Sequence, residues 1–326
     1  MAVIHKPYKA LSFFADFEPP LSDFRADALA GLSLPQKALS PKYFYDEHGS
    51  ALFDKICATP EYYPTRTETA LLELVAPDIA AAIGPDAAIL EYGSGSSVKI
   101  ITLLNALERP AEYVALDISR EHLIANVTPL TERFPNVPIG AVCADFTQKL
   151  ALPDAAPHAR RVGFFPGSTI GNFEPDDAIA FLRNARATLG ENGLFVLGAD
   201  LKKDETVLNA AYNDAGGVTA AFNLNLLTRM KRELDAVLNR DDFEHYAFYN
   251  AEKERIEMHL RALKTTKIEI DDHVFAFTAG ETLHTENSHK FQKDNIAHLA
   301  QESGFHLSEM WTDAGNLFSI SLLSAA

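Results

Sequence analysis

Three short runs place glycines and acids where a nucleotide-like ligand could be held. Residues 87–97 carry an apolar, β-prone segment into Glu91-x-Gly93-x-Gly95, and Lys99 opens an amphipathic stretch ending near Leu107. Glycines at 93 and 95 can take positive φ and carry no Cβ, so a ligand can lie against the backbone beside the amides that start the next helix. Beyond them, Tyr113-Val-Ala-Leu-Asp117 ends in an acid placed to take both hydroxyls of a ribose. Val142-Cys-Ala-Asp145-Phe146 ends in another acid with a ring beside it, which suits an adenine amine and ring face. The dinucleotide fingerprint requires a third glycine three residues after the second, and Val98 stands there. No compact pyrophosphate clamp is encoded, which disfavours a nicotinamide oxidoreductase.

Such runs need a parallel sheet to bring their ends together. Apolar stretches near 87–92, 111–116, 137–143, 161–166 and 193–199 alternate with helical patterns at 98–108, 119–133 and 175–190, the order of a doubly wound α/β sheet. Residues 201–265 then read as long helical stretches, and Lys267-Ile-Glu-Ile270 with His273-Val-Phe-Ala-Phe277 reads as a β-hairpin around Asp271-Asp272. A helix at 290–303 and strands near 305–312 and 317–323 follow. The three strand ends together resemble the S-adenosyl-L-methionine (SAM) site of class I, Rossmann-like methyltransferases, whose ligand carries no phosphate. That resemblance makes residues 67–200 and 290–326 the SAM-binding domain. Residues 1–66 and 201–289, the latter an α+β insertion, then form a substrate-binding domain.

Composition narrows the partner. The chain has 326 residues, net charge −16 and no cluster of Lys or Arg, so nucleic acid and anionic membranes are repelled. A small-molecule substrate fits better, and a monomer is expected. Cys57 and Cys143 form no C-x-x-C spacing, which excludes disulfide frameworks and thiolate zinc sites. The opening Met-Ala-Val-Ile-His-Lys lacks a signal-peptide pattern and no run is long and apolar enough to span a bilayer, so a cytoplasmic setting is expected. His284 and His289 are spaced H-x4-H without a third ligand of suitable spacing, and no metal is expected.

The substrate side is read from tyrosines and one loop. Tyr43, Tyr45, Tyr62 and Tyr63 crowd the segment before Thr65-x-x-Glu68, a capping-box spacing that predicts a helix start. A single tyrosine there is more often packing than contact, but four invite a binding role for one or two. Phe164-Phe-Pro-Gly167-Ser-Thr-Ile-Gly-Asn172-Phe follows the fourth strand at the carboxyl edge, where open α/β sheets bind ligands. Asn172 offers a donor and an acceptor to an amine or carboxylate, or else caps the next helix.

Six motifs make the resemblance specific: Tyr43-Phe-Tyr-Asp-Glu-His-Gly-Ser, Pro60-Glu-Tyr-Tyr-Pro-Thr-Arg-Thr-Glu, Gly167-Ser-Thr-Ile-Gly-Asn, Ala211-Tyr-Asn-Asp-Ala-Gly-Gly-Val-Thr, Ile256-Glu-Met and His284-Thr-Glu-Asn-Ser-His-Lys-Phe. In this order they resemble the L-histidine Nα-methyltransferases of ergothioneine biosynthesis, which trimethylate the α-amine of histidine to hercynine. The resemblance implies catalytic roles for Tyr45 and Asn172, with Asn172 and Tyr212 gripping the amine and carboxylate. It puts the Gly167 backbone and Tyr45 beside the reacting nitrogen, and Tyr62, Met258, Glu286 and Ser288 around the imidazole. Its SAM contacts map to Tyr62, Gly93, Lys99, Asp117, Asp145 and Phe146, with Gly95 in the glycine turn. One departure is Tyr92, where the family pattern has leucine; a side chain pointing away from the glycines would make it a packing change. An N-methyltransferase of the same scaffold acting on a tryptophan derivative, or a SAM-binding protein without turnover, remains open. A carboxylate at 286 speaks against an indole pocket.

Overall fold

The computed structural model describes residues 3–5, 10–17, 23–95, 97–150, 152, 156 and 158–326, with residues 3–5 as backbone. Ser96 of the glycine turn and the ends of the opening hexapeptide lie outside the described residues. The chain begins with β1 (Val3–His5), β2 (Phe13–Asp16), α1 (Phe24–Leu32), α2 (Glu47–Cys57) and α3 (Tyr63–Ile83). Next come β3 (Ala88–Tyr92), α4 (Val98–Ala106), β4 (Glu112–Asp117), α5 (Arg120–Arg133), β5 (Ile139–Cys143), β6 (Arg161–Phe165), α6 (Pro175–Leu189) and β7 (Leu194–Asp200). Helices α7 (Glu205–Tyr212) and α8 (Val218–Glu233) precede β8 (Phe243–Asn250), β9 (Arg255–Ala262), β10 (Thr266–Ile270), β11 (His273–Phe277) and β12 (Thr282–His289). The chain closes with α9 (Lys293–Glu302), β13 (Phe305–Thr312) and β14 (Phe318–Ala325).

Contacts divide the chain into two compact units, 1–21 with 66–201 and 291–326, and 22–65 with 202–290. In the first, one sheet runs β1-β2-β5-β4-β3-β6-β7-β14-β13. Strands β2, β5, β4, β3, β6 and β7 run parallel to one another, while β1 pairs antiparallel with β2 and β14 enters antiparallel beside β7. Alternation along each strand feeds two cores. Leu90, Tyr92, Val114 and Leu116 pack with α6 and α9 on one face, and Ile89, Tyr113 and Ala115 pack with α3, α4 and α5 on the other. Strands covered on both faces must be apolar throughout, and this is why their sequence signal is plain. The order reverses between β3 and β6, and a crevice at such a switch point is where open α/β sheets take their ligands.

Two expectations require correction here. Residues 1–66 do not stay together: β2 pairs in parallel with β5, Phe13 opposite Gly140, so the first residues extend the sheet. Residues 201–265 are not helical throughout, because β8 and β9 pair from Phe243↔Ala262 to Asn250↔Arg255. In the second unit β12, β9 and β8 form an antiparallel sheet beside the β10–β11 hairpin. Among the described residues no helix is long and apolar enough to cross a membrane.

Candidate active site

In the first unit, Gly93, Gly95, Asp117, Asp145 and Phe146 of the expected cofactor residues gather at the carboxyl ends of β3, β4 and β5, while Lys99 lies on α4 and Tyr62 in the second unit. Gly93 has φ +73°, and a Cβ there would sit 3.6 Å from the Phe146 ring, so the turn needs glycine for its backbone and has the aromatic face beside it. Beside Gly95 there is open space. Gly93 and Ser94 both donate backbone N–H to Leu116 O, which ties the turn to the end of β4. Asp117 Oδ1 accepts from Ser119 N at 2.9 Å, and Asp145 Oδ1 accepts from Thr147 N at 3.0 Å and from its hydroxyl at 2.6 Å. These local turns fix each carboxylate by one oxygen, and the other oxygen can receive a ligand donor. Ser94 Oγ is buried with no hydrogen-bond partner. A ligand with hydroxyls, an amine, an aromatic base and no phosphate suits this set, as SAM requires. Asp117→Ala should weaken SAM binding by about 1–3 kcal/mol through lost charge-assisted hydrogen bonds; unchanged affinity of the folded variant in calorimetry would remove Asp117 from the site.

Glu91, from the same turn, is buried and accepts from the Tyr113 hydroxyl at 2.5 Å. Burial pushes its carboxyl up to about 7 against the Tyr113 hydrogen bond. A folded-state value above the ordinary 4.5 means that the unfolded chain ionises first, so this group's contribution falls as pH rises from 4.5 to about 7. Glu91→Gln is therefore expected to raise the melting temperature well above pH 7 and to leave it unchanged below the ordinary carboxyl range. The gain is on the order of 2–3 kcal/mol; an equal shift at both ends of the pH range would contradict it.

Tyr92 lies in the apolar core, 2% exposed, with its ring edge-on to Phe181 and Phe146. The ring therefore fills space behind the glycines, as read from the sequence.

Sequence reasoning misread Glu68. It is not the partner of a capping box: α3 begins two residues before Thr65, and Thr65 Oγ1 donates to Cys57 Sγ at 3.2 Å. Glu68, 2% exposed, pairs instead with the Lys99 ammonium and accepts from Gly167 N at 2.8 Å. A Cβ on Gly198 would come within 2.3 Å of Glu68 Oε1, so the strand must carry glycine where the carboxylate crosses it. The charge of Lys99 is thus committed to Glu68, as is the Gly167 N–H, which leaves the Gly167 carbonyl as that backbone's group for a ligand amine.

Gly167 and Ser168 adopt positive φ in succession, +83° and +55°. The second is unusual for serine and is held where the Ser168 hydroxyl accepts from Asp200 N at 2.9 Å. Non-glycine residues in this region carry strain that concentrates at functional turns. The following turn, Thr169–Asn172, ends in Asn172, whose side chain makes no hydrogen bond among the described residues. Glu174, not Asn172, is the N-cap of α6.

The second unit gathers Tyr45, Tyr62, Tyr212, Met258, Glu286 and Ser288. Tyr45 follows a short 3-10 turn (Pro41–Phe44) and precedes Asp46, which caps α2 through Gly49 N at 2.8 Å and is tied to α8 by Asn225 and Arg232. Its ring meets Phe53 and Phe222 edge-on, and Tyr62 meets Phe53 and Tyr212 in the same way. Met258 lies directly opposite Glu286 in the β9–β12 register, and Ser288 lies opposite Ile256. A bulge between His284 and Glu286 sets that face. It is pinned by the Thr285 hydroxyl, which donates to the buried Asn223 side chain at 2.9 Å. Opposed residues share a face, so the carboxylate, hydroxyl and thioether project together.

The electrostatics of this cluster separate its roles. Burial raises the Glu286 carboxyl to about 7, with Lys290 pulling it back. Desolvation and then the Glu286 charge hold the Tyr45 phenol well above its ordinary value although 45% of the residue is exposed. Burial does the same for Tyr62. These phenols stay protonated near neutral pH, so neither is a phenolate base. Sequence reasoning also missed Lys290, 2% exposed, which donates to Ser288 Oγ at 2.7 Å.

His284 and His289 do not form a pair. On the opposite face of the sheet, His284 stacks on His259 at 4.5 Å, beside Glu257. Burial and the neighbouring His284 push His259 down to about 4. The ligand atoms of Glu257, His259 and His284 lie within 4.8 Å of one another; Arg255 Nε donates to one Glu257 oxygen at 2.8 Å, and the other lies 3.2 Å from His259 Nε2.

The strand order, with an antiparallel β14 inserted between β7 and β13, an acid ending β4 and another two residues after β5, defines a class I SAM-dependent methyltransferase fold. The chain belongs to the histidine-specific, SAM-dependent methyltransferase family, whose profile matches residues 24–325. It is 42% identical over 305 residues to histidine N-alpha-methyltransferase of Mycolicibacterium smegmatis, covering 91% of this chain and 94% of that protein. With histidine N-alpha-methyltransferase of Mycobacterium tuberculosis the identity is 39% over 304 residues, with the same two coverages. It is also 28% identical over 319 residues to a 4-dimethylallyltryptophan N-methyltransferase of Aspergillus fumigatus, covering 90% and 94%.

Proposed function

We propose that this chain transfers methyl groups from SAM to the α-amine of L-histidine, three in succession, giving hercynine as in ergothioneine biosynthesis. The first unit holds the cofactor and the second reads the substrate side chain. The observation that carries the choice of histidine is Glu286 opposite Met258 with Ser288 on the same face. An imidazole offers an N–H to the carboxylate, a second nitrogen to the hydroxyl and a face to the thioether. An indole can give its one N–H to the carboxylate but has no second nitrogen for Ser288, and a buried polar group left unmade costs about 1–3 kcal/mol.

Bound SAM supplies an electrophilic methyl on a sulfonium. Asn172 orients the amine and, with Tyr212, the carboxylate; its uncommitted amide supports that role. The Gly167 carbonyl, its N–H already given to Glu68, accepts from the amine. The enzyme's share is positioning and exclusion of water. Each transfer needs a neutral amine, so one proton leaves before each new C–N bond forms, and the protonated Tyr45 passes it by hydrogen bond to water. The faces of Tyr45 and Tyr62 favour the growing methylammonium through cation–π attraction.

A panel of amino acids offered with labelled SAM tests the substrate. Histidine should dominate label transfer; equal or greater transfer to tryptophan or its derivatives would move the chain to that substrate class.

A further inference from the structure

Ser288 is held from two sides. Lys290 Nζ donates to its oxygen at 2.7 Å, and the Tyr212 hydroxyl donates to the same oxygen at 2.8 Å. A hydroxyl has two lone pairs and one proton, and an ammonium can only donate. With both lone pairs engaged, the Ser288 proton must point away from Lys290 and Tyr212. Glu286 and Ser288 stand two residues apart on β12, after the bulge, and so face the same side, toward Met258 and Ile256. One side of the strand thus presents a carboxylate that accepts and a hydroxyl that is left to donate.

We propose that Lys290 is a positioning residue which, with Tyr212, fixes Ser288 as a donor, so that the pocket selects a ring with one N–H for Glu286 and one bare nitrogen for Ser288. That ring is the neutral imidazole in a single tautomer. The proposal rests on histidine being the substrate. An imidazolium would bring a second N–H against the Ser288 proton. A pyrrole or indole would supply the N–H and leave Ser288 with nothing to donate to.

The test is nitrogen NMR of ring-labelled L-histidine bound to the full chain with S-adenosylhomocysteine at neutral pH, with steady-state kinetics beside it. The wild type should show one pyrrole-type and one pyridine-type nitrogen. In Lys290→Met the Ser288 oxygen regains a lone pair, so the two resonances should move toward a tautomer average. KM for histidine should rise roughly 3- to 10-fold with kcat much less affected. Ser288→Ala, which leaves both Glu286 and Lys290 in place, should raise KM in the same way and Ser288→Thr should restore it; this pair decides the matter if Lys290→Met does not fold. Two imidazolium-type nitrogens in the wild type would overturn the proposal, as would wild-type KM in Ser288→Ala. Failure of histidine to bind at all would instead overturn the substrate assignment on which the proposal stands.

Discussion

Glu286→Ala combined with Met258→Val is expected to lower kcat/KM for histidine relative to tryptophan by roughly 10- to 150-fold, since a charged hydrogen-bond partner is worth about 1.5–3 kcal/mol. The two side chains stand directly opposite each other across β9 and β12, so the double change clears one continuous patch. Removing the carboxylate takes away the imidazole partner. Trimming the thioether makes room for a larger apolar ring, whose burial then no longer strands a charge. Competition between the two amino acids in one assay gives the ratio directly. A ratio equal to that of the wild type would show that Glu286 does not read the side chain.

Glu68→Ala should cost about 3–5 kcal/mol of stability, the range for breaking a buried ion pair from one side. Lys99 would be left with its side chain only 14% exposed and without that carboxylate, and Gly167 N would lose its acceptor. Both losses fall beside the strained Gly167–Ser168 turn, so cofactor and substrate binding should weaken along with the fold. Glu68→Gln can still accept from Gly167 N and should lose clearly less. Denaturant midpoints of the two variants measure the difference; equal, small losses in both would mean that the pair is not a structural hub.

The sheet was legible because its strands are apolar on both sides and bounded by turns, a pattern that admits few readings. The cofactor acids could be placed for the same reason: Asp117 and Asp145 end or follow strands whose positions are unambiguous. Residues 243–262 were not legible as strands. Arg255-Ile-Glu-Met-His-Leu-Arg-Ala alternates apolar and polar as a strand should, yet Glu, Met, Leu and Ala are good helix formers, so propensity and period point in opposite directions. The polar half of that alternation is buried too, with Glu257 accepting from Arg255 and paired with His259 Nε2. Strand β2 escaped because its parallel partner β5 lies more than a hundred residues away and no local signal announces it.

The site divides along the same line. Residue types at strand ends and in quoted motifs were found, whereas residues that act through tertiary partners were not. Thr65 and Glu68 have the spacing of a capping box, but a local spacing cannot reveal that Glu68 reaches Lys99 and Gly167 instead. Lys290 sits in the run with Glu286 and Ser288, and its burial against Ser288 and Tyr212 is a property of the fold alone. The raised phenol of Tyr45 likewise depends on the desolvation and the carboxylate that folding brings to it.

The most direct test of the whole account is mass spectrometry of L-histidine incubated with the protein and SAM. Successive addition of one, two and three methyl groups, all on the α-nitrogen and ending in the trimethylated betaine, is the predicted result. Unmodified histidine under conditions where SAM binds, or methyl groups placed on the imidazole, would contradict it.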